Sequence, residues 1–278
     1  MGKLTGRAAL VTGASRGLGV AIAQALLQEG ANVLLCARSH EVIDVAEHLQ
    51  ERFRDQTVEG FRQTDVSRPG DVAEIFHDVQ SLFKRLDILV CNAGIYGPIG
   101  KLEEIDPVDW IAAIQTNLIG TMLCCRAAIP LMRRQDYGKI IIISGGGATR
   151  PLPRFSAYAA SKAAVVRFAE TLAVELKGSG IDVNSIAPGA LNTRMLDEVL
   201  EAGPQRAGQS FYDKAVEQKA TGGTPLSVAA ELVAFLASAE CDGITGRLIS
   251  AVWDNWRGLP HEYLQHNNPD RYTLRRIS

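Results

Sequence analysis

Three glycines in one short stretch, Thr12-Gly13-Ala14-Ser15-Arg16-Gly17-Leu18-Gly19, constrain this chain more than any other feature. They follow the apolar run Ala8 to Val11 and lead directly into the helical pattern Leu18 to Gln28. A strand that turns into a helix this abruptly needs backbone without Cβ atoms. Glycines there also let the helix pack close to the strand and let a bound group approach the main chain. The helix start then presents unpaired N–H groups and the positive end of its dipole, which suits the pyrophosphate of a dinucleotide.

The rest of the chain repeats the strand-then-helix rhythm, which gives the turn its meaning. Short β-branched runs at 32–36, 58–63, 86–91, 139–143, 181–187 and 247–250 alternate with helical patterns at 41–54, 71–83, 107–134, 156–177 and 227–238. Within 71–83, Val72, Ile75, Phe76, Val79 and Leu82 recur at helical spacing. The run Lys139 to Ile143 carries four consecutive isoleucines, as expected of a central parallel strand buried on both faces. Such alternation predicts an α/β fold, a single doubly wound Rossmann-type domain over 1–252 whose central parallel sheet is flanked by helices. Two regions stand outside it. Residues 190–224 read as a loop-rich stretch with short helices. The tail 253–278 holds Trp253 and Trp256 and is expected to dock, since disordered tails are poor in tryptophan.

Composition narrows the function classes. With 46% apolar and 22% charged residues and a net charge of -2, no bias toward nucleic acid or anionic membrane is expected. Residues 1–6 lack the apolar core of a secretory signal, and no uninterrupted run reaches the roughly 18 apolar residues of a bilayer span. The five cysteines include the adjacent pair Cys124-Cys125, which is not the spacing of a redox or zinc motif, so reduced thiols in a cytoplasmic protein are expected. Five histidines at 40, 48, 77, 261 and 266 show no ligand spacing, and no metal is expected.

The second strand decides between the two nicotinamide dinucleotides. An NAD site usually carries an acid there to hold the adenosine ribose hydroxyls. Here the stretch reads Cys36-Ala37-Arg38-Ser39, with no acid and an arginine following. A guanidinium can fork onto a 2′-phosphate, and Arg16 in the turn offers a second cation, so NADP(H) is the expected cofactor. One rival motif overlaps the turn: Gly13-Ala14-Ser15-Arg16-Gly17 fits the nucleophile elbow G-x-S-x-G of hydrolases. That reading needs a late base, His261 or His266, and leaves Gly19 and Arg38 unexplained.

Further along, Tyr158-Ala159-Ala160-Ser161-Lys162 puts a phenol and an ammonium on one helical face. A lysine beside a tyrosine favours the phenolate and eases proton transfer near neutral pH. Taken in order, Thr12-Gly13-x-x-x-Gly17-x-Gly19, Asn92-Ala93-Gly94, Asn117, Tyr158-x-x-x-Lys162 and Pro188-Gly189-x-x-x-Thr193 closely resemble the classical short-chain dehydrogenase/reductase family across roughly 4–250.

The resemblance implies an oxidoreductase interconverting a carbonyl and a secondary alcohol on a small molecule. Tyr158 would be its general acid or base, Lys162 the group that holds the nicotinamide ribose and lowers the tyrosine pKa, and Asn117 the anchor of a proton-relaying water. Ser15, Arg16 and Leu18 would join the glycines around the cofactor, and Asp65-Val66 would meet the adenine, although an acid there equally caps the next helix. Asn92, Ala93 and Gly94 would support the cofactor, with Cys91 where the family's more usual first Asn stands. Pro188, Gly189 and Thr193 would contact the nicotinamide end.

The family's serine, 13 residues before the tyrosine, is Gly145 here. Ser144 is one residue early, where strand alternation points a side chain to the other face. It is nonetheless the candidate replacement, with Thr149 a further one, should the triple glycine distort the strand. By resemblance the lid is 190–224, with Arg194, Met195, Phe211 and Tyr212 as lining candidates and Tyr96 bordering the pocket. Arg150 and Arg154 either face an anionic substrate or are solvated loop arginines. A homodimer or homotetramer is implied through the helices of Asn117 and Tyr158. The alternative function is an NADP(H)-binding protein with little catalysis, motivated by Gly145.

Overall fold

The computed structural model describes residues 2–266 and 270–275, so part of the expected tail, 267–269 and 276–278, lies outside the described residues. Seven parallel strands form one sheet in the order β3-β2-β1-β4-β5-β6-β7. They are β1 (Ala8–Thr12), β2 (Asn32–Ala37), β3 (Val58–Gln63), β4 (Ile88–Cys91), β5 (Gly138–Ile143), β6 (Ile181–Ala187) and β7 (Leu248–Ser250). The helices are α1 (Gly17–Gln28), α2 (Glu41–Arg52), α3 (Pro69–Phe83), α4 (Pro107–Ile114), α5 (Gly120–Arg134), α6 (Ser156–Glu175), α7 (Arg194–Ala207), α8 (Gln209–Thr221), α9 (Leu226–Ala237) and α10 (Leu259–His266).

Period-two alternation divides the strands' side chains between two cores. Ala9 and Val11 of β1, Val33 and Leu35 of β2 and Ile141 and Ile143 of β5 join α1, α2 and α9 in one. Leu10, Leu34, Ile140 and Ile142 face the other way, into a core shared with α3, α5 and α6. All of β5 is buried, as a strand covered on both faces must be. The sheet order reverses between β1 and β4, so the loops at the strands' carboxyl ends diverge there and open a crevice.

Three features differ from the sequence expectation. The 107–134 helix is interrupted by a π turn at Gln115–Ile119, which carries Asn117. This helix is also long and apolar enough to cross a membrane by length and composition, although no uninterrupted apolar run announces it. Its Cys124, Cys125, Ala128 and Met132 are buried in the second core. The stretch 190–224 is mostly helix rather than loop. Its glycines lie between or within helices: Gly203 breaks α7 with φ 71°, and Gly208 separates α7 from α8.

The tail docks where it is described. Trp256 is buried against Phe235 with ring centroids 5.3 Å apart, and its Nε1 donates to the Ala251 carbonyl. Beyond it, Leu248 N donates to the Tyr272 carbonyl at 2.6 Å, so the tail lies along the open edge of β7. Leu274 N donates to Glu170 of α6 at 2.7 Å. Trp253, by contrast, is 86% exposed.

Candidate active site

A cavity of about 470 Å³ runs along the carboxyl ends of the strands. Each strand from β1 to β6 supplies part of its wall from its end or the loop that follows. The glycine turn forms the floor. Gly13 has φ 64°, and a Cβ on it would stand 2.7 Å from the Ala93 Cα. A Cβ on Gly19 would stand 2.8 Å from both the Ala14 Cα and the Asn92 Nδ2. No L side chain fits at either place, which is the physical reason for both glycines.

Asn92 ties the turn to β4. Its Nδ2 donates to the carbonyls of Thr12 and Gly13 at 2.9 and 3.0 Å, and its backbone N–H and that of Ala93 donate to the Thr12 hydroxyl. The start of α1 carries no side-chain cap, and Gly17, Leu18 and Gly19 line the cavity. An uncapped helix N-terminus on a floor that Cβ atoms would fill fits the pyrophosphate of a dinucleotide.

Ala37, Arg38 and Ser39 form the adenosine-side wall with Thr64, Asp65 and Val66. Asp65 accepts from the N–H and hydroxyl of Ser67. Burial works to raise its pKa, but those hydrogen bonds and the charges of Arg38 and Arg68 prevail and hold it low. Arg38 is exposed at the rim. Arg16 pairs with Glu41 at 2.9 Å, both side chains being well exposed. A pair of that kind is worth about 0–1 kcal/mol and yields readily to a phosphate.

At the opposite end Tyr158 and Lys162 are both buried. Lys162 Nζ lies 5.7 Å from the centre of the Tyr158 ring and donates to the Ile143 carbonyl at 2.7 Å. Burial lowers the Lys162 pKa to about 8. Burial, reinforced by Tyr96, drives the Tyr158 phenol well above its ordinary value. Desolvation, not the adjacent lysine, thus sets the direction of the shift at Tyr158.

Asn117, presented by the π turn, clasps Ile95. Its Oδ1 accepts from Ile95 N, and its Nδ2 donates to the Ile95 carbonyl and the Ser161 hydroxyl, each at 2.9 Å. Ser144 is fully buried and donates to the Lys162 carbonyl at 3.3 Å, so its hydroxyl is committed to the backbone of α6. Thr149 is exposed and outside the cavity wall.

Tyr96, Met195, Arg194, Thr193, Pro188 and Gly189 all reach the wall. The Tyr96 ring packs edge-on to Tyr158, centroids 4.7 Å apart. Four expected lining residues do not reach it. Arg150 is exposed, and Arg154 donates to the Gln205 carbonyl at 2.8 Å, which fastens its loop to α7. Phe211 packs on the buried Phe155 at 4.6 Å, and Tyr212 joins the same cluster behind the wall.

Glu198 was not legible as a wall residue. It is one helical turn beyond Arg194 on α7, a relation visible only once 194–207 is read as helix. Burial raises its pKa despite the opposing charges of Arg194 and Arg16, and its charge adds to the burial that pushes Tyr96 up to about 12.

The chain matches the short chain dehydrogenase family model over residues 7–203. It is 34% identical over 253 residues to a short-chain type dehydrogenase/reductase of Picea abies, covering 88% of this chain and 91% of that one. Among solved structures it is similar to YwfH, an NADPH dependent reductase involved in bacilysin biosynthesis, with TM-score 0.78, 27% identity and coverage of 88% and 96%. It is also similar to a NAD+-bound xylitol dehydrogenase, with TM-score 0.80, 25% identity and coverage of 89% and 98%.

Proposed function

Because this chain belongs to the short-chain dehydrogenase/reductase family, oxidoreductases of the CH–OH/C=O couple that use a nicotinamide cofactor, we propose that it uses NADP(H) to interconvert a small carbonyl compound and its secondary alcohol. The observation that carries the reading is one cavity holding the uncapped start of α1 at one end and the buried Tyr158-Lys162 pair at the other. The cofactor supplies the hydride, and the chain's part is to position and to move a proton.

Tyr158 donates its proton to the carbonyl oxygen in reduction and takes it back in oxidation. A phenol held protonated by burial is ready for the first role. Lys162, kept beside it by the Ile143 carbonyl, supplies the positive charge that favours the phenolate formed on donation. Asn117 holds Ile95, and with it the loop carrying Tyr96, against the reacting end.

The relatives use both cofactors, so the choice rests on this chain's residues. β2 ends without an acid, and Arg38 and Arg16 both line the cavity, two cations that support a 2′-phosphate. Arg38→Ala should weaken NADPH binding about 10- to 100-fold, the loss of one charge-assisted hydrogen bond, and leave NADH binding unchanged in calorimetric titration. Equal losses for both cofactors would refute the preference.

A cofactor-binding protein with little turnover is the second reading, favoured by Gly145 alone. Alcohol or ketone turnover that disappears in Tyr158→Phe excludes it. Val108, Ile111 and Val174 are exposed apolar residues on α4 and α6, and they support self-association as a dimer or tetramer. Five buried, unpaired thiols support a cytoplasmic placement.

A further inference from the structure

At Gly145 the resemblance suggests a defect, a serine lost from the site. The packing says otherwise. A Cβ on Gly145 would fall inside the van der Waals surface of Tyr158 Oη and stand 3.1 Å from its Cζ. The phenol thus occupies the volume that any side chain at this position requires. The neighbouring Gly146 differs, since a Cβ there would meet nothing within 4 Å.

We propose that Gly145 is the positioning residue for Tyr158: bare backbone at the end of β5 is the seat of the phenol hydroxyl, and any side chain there, serine included, displaces it. The inference rests on Tyr158 being the proton donor of the proposed reaction. Three observations support it independently of turnover. Tyr158 is only 8% exposed, and its ring is held on another side by the Tyr96 ring at 4.7 Å. Lys162, whose Nζ is fixed to the Ile143 carbonyl, bounds it again at 5.7 Å. Ser144, the adjacent hydroxyl, is already engaged with the Lys162 carbonyl. A wedge at 145 therefore drives the phenol away from the strand end. In this chain the phenol and a side chain at 145 exclude one another, so serine cannot simply be restored.

The test compares Gly145→Ser and Gly145→Ala with the wild-type protein, with Tyr158→Phe in each background to assign the phenol. Crystal structures and tyrosinate absorbance against pH are measured on the cofactor-free proteins, and kcat and KM with NADPH on the substrate that the wild type turns over. The expected result is a shifted Tyr158 hydroxyl that titrates nearer the ordinary tyrosine value. With it, kcat falls about 10²-fold, as for a reacting group misplaced by an ångström, while KM and NADPH affinity hold. A Tyr158 that neither moves nor changes its titration overturns the proposal, as does a Gly145→Ser enzyme with kcat equal to or above wild type. Failure of the wild type to bind NADPH or turn over any carbonyl would instead refute the functional reading. The coordinates and titration of Tyr158 would then still decide this one.

Discussion

The charge state of Lys162 illustrates how burial sets the chemistry of a single group. Burial shifts it toward the neutral form: its pKa is about 8 in the folded protein against 10.5 for an exposed lysine, so the ammonium still prevails at neutral pH. Between these values the unfolded chain binds more protons than the folded one, so this group makes stability rise as the pH increases from about 8 toward 10.5. Tyr158 and the buried thiols Cys36, Cys91 and Cys124 have raised values and act in the opposite direction once the pH passes their ordinary range. The difference between wild type and Lys162→Met isolates the lysine. The wild-type melting temperature should gain on the variant across that window, and parallel curves would show that Lys162 is not desolvated in the free enzyme. Arg154, too, is decided by its surroundings. Its sequence neighbourhood is compatible with substrate binding or with solvent, yet its guanidinium is used on the Gln205 carbonyl. A local sequence shows which groups a residue brings, and the partner comes from an element 51 residues away.

Among the elements, the π turn at Gln115–Ile119 is the least legible and among the most consequential. Its residues have ordinary helical character, so the apolar period runs through it without a mark, yet the widened turn carries the Asn117 amide that bonds Ile95. Asn117→Ala leaves the N–H and carbonyl of Ile95 without this partner and should cost about 1–3 kcal/mol in urea unfolding. A loss below about 0.5 kcal/mol, the range of an ordinary surface change, would mean that the clasp is dispensable. The helices α7 and α8 were obscured for a different reason. Gly203, Gly208, Gly222 and Gly223 read as loop in sequence, but all four have positive φ and punctuate helices rather than dissolve them. The sequence does not mark Glu198 either, because its place on the wall depends on α7 being helical.

Across the whole molecule the tail closes the structure. Its 270–275 segment meets the edge of β7 through the Tyr272 carbonyl and reaches α6 through Glu170, which also pairs with Arg167. Truncation before Asp270 removes these bonds and bares a parallel edge strand. It should lower stability by about 1–3 kcal/mol and promote concentration-dependent association in light scattering. A truncated protein with wild-type stability and size would show that the tail only rests on the surface.

The alternation of 8–11, 32–36 and 139–143 with helical patterns was enough to determine a doubly wound sheet, because side-chain periodicity and strand burial are local consequences of composition. The glycine turn marked a candidate dinucleotide site, because a strand that runs straight into a helix needs glycine locally, although part of what a Cβ at Gly13 or Gly19 would strike, in Asn92 and Ala93, comes from the loop after β4. Tertiary structure alone decided that Ser144 turns to α6, that Arg150 and Arg154 stay outside the cavity, that Glu198 joins its wall, and that Gly145 gives its space to Tyr158. Each of these depends on what a distant element brings within a few ångströms, and residue order along one strand or helix does not carry that distance.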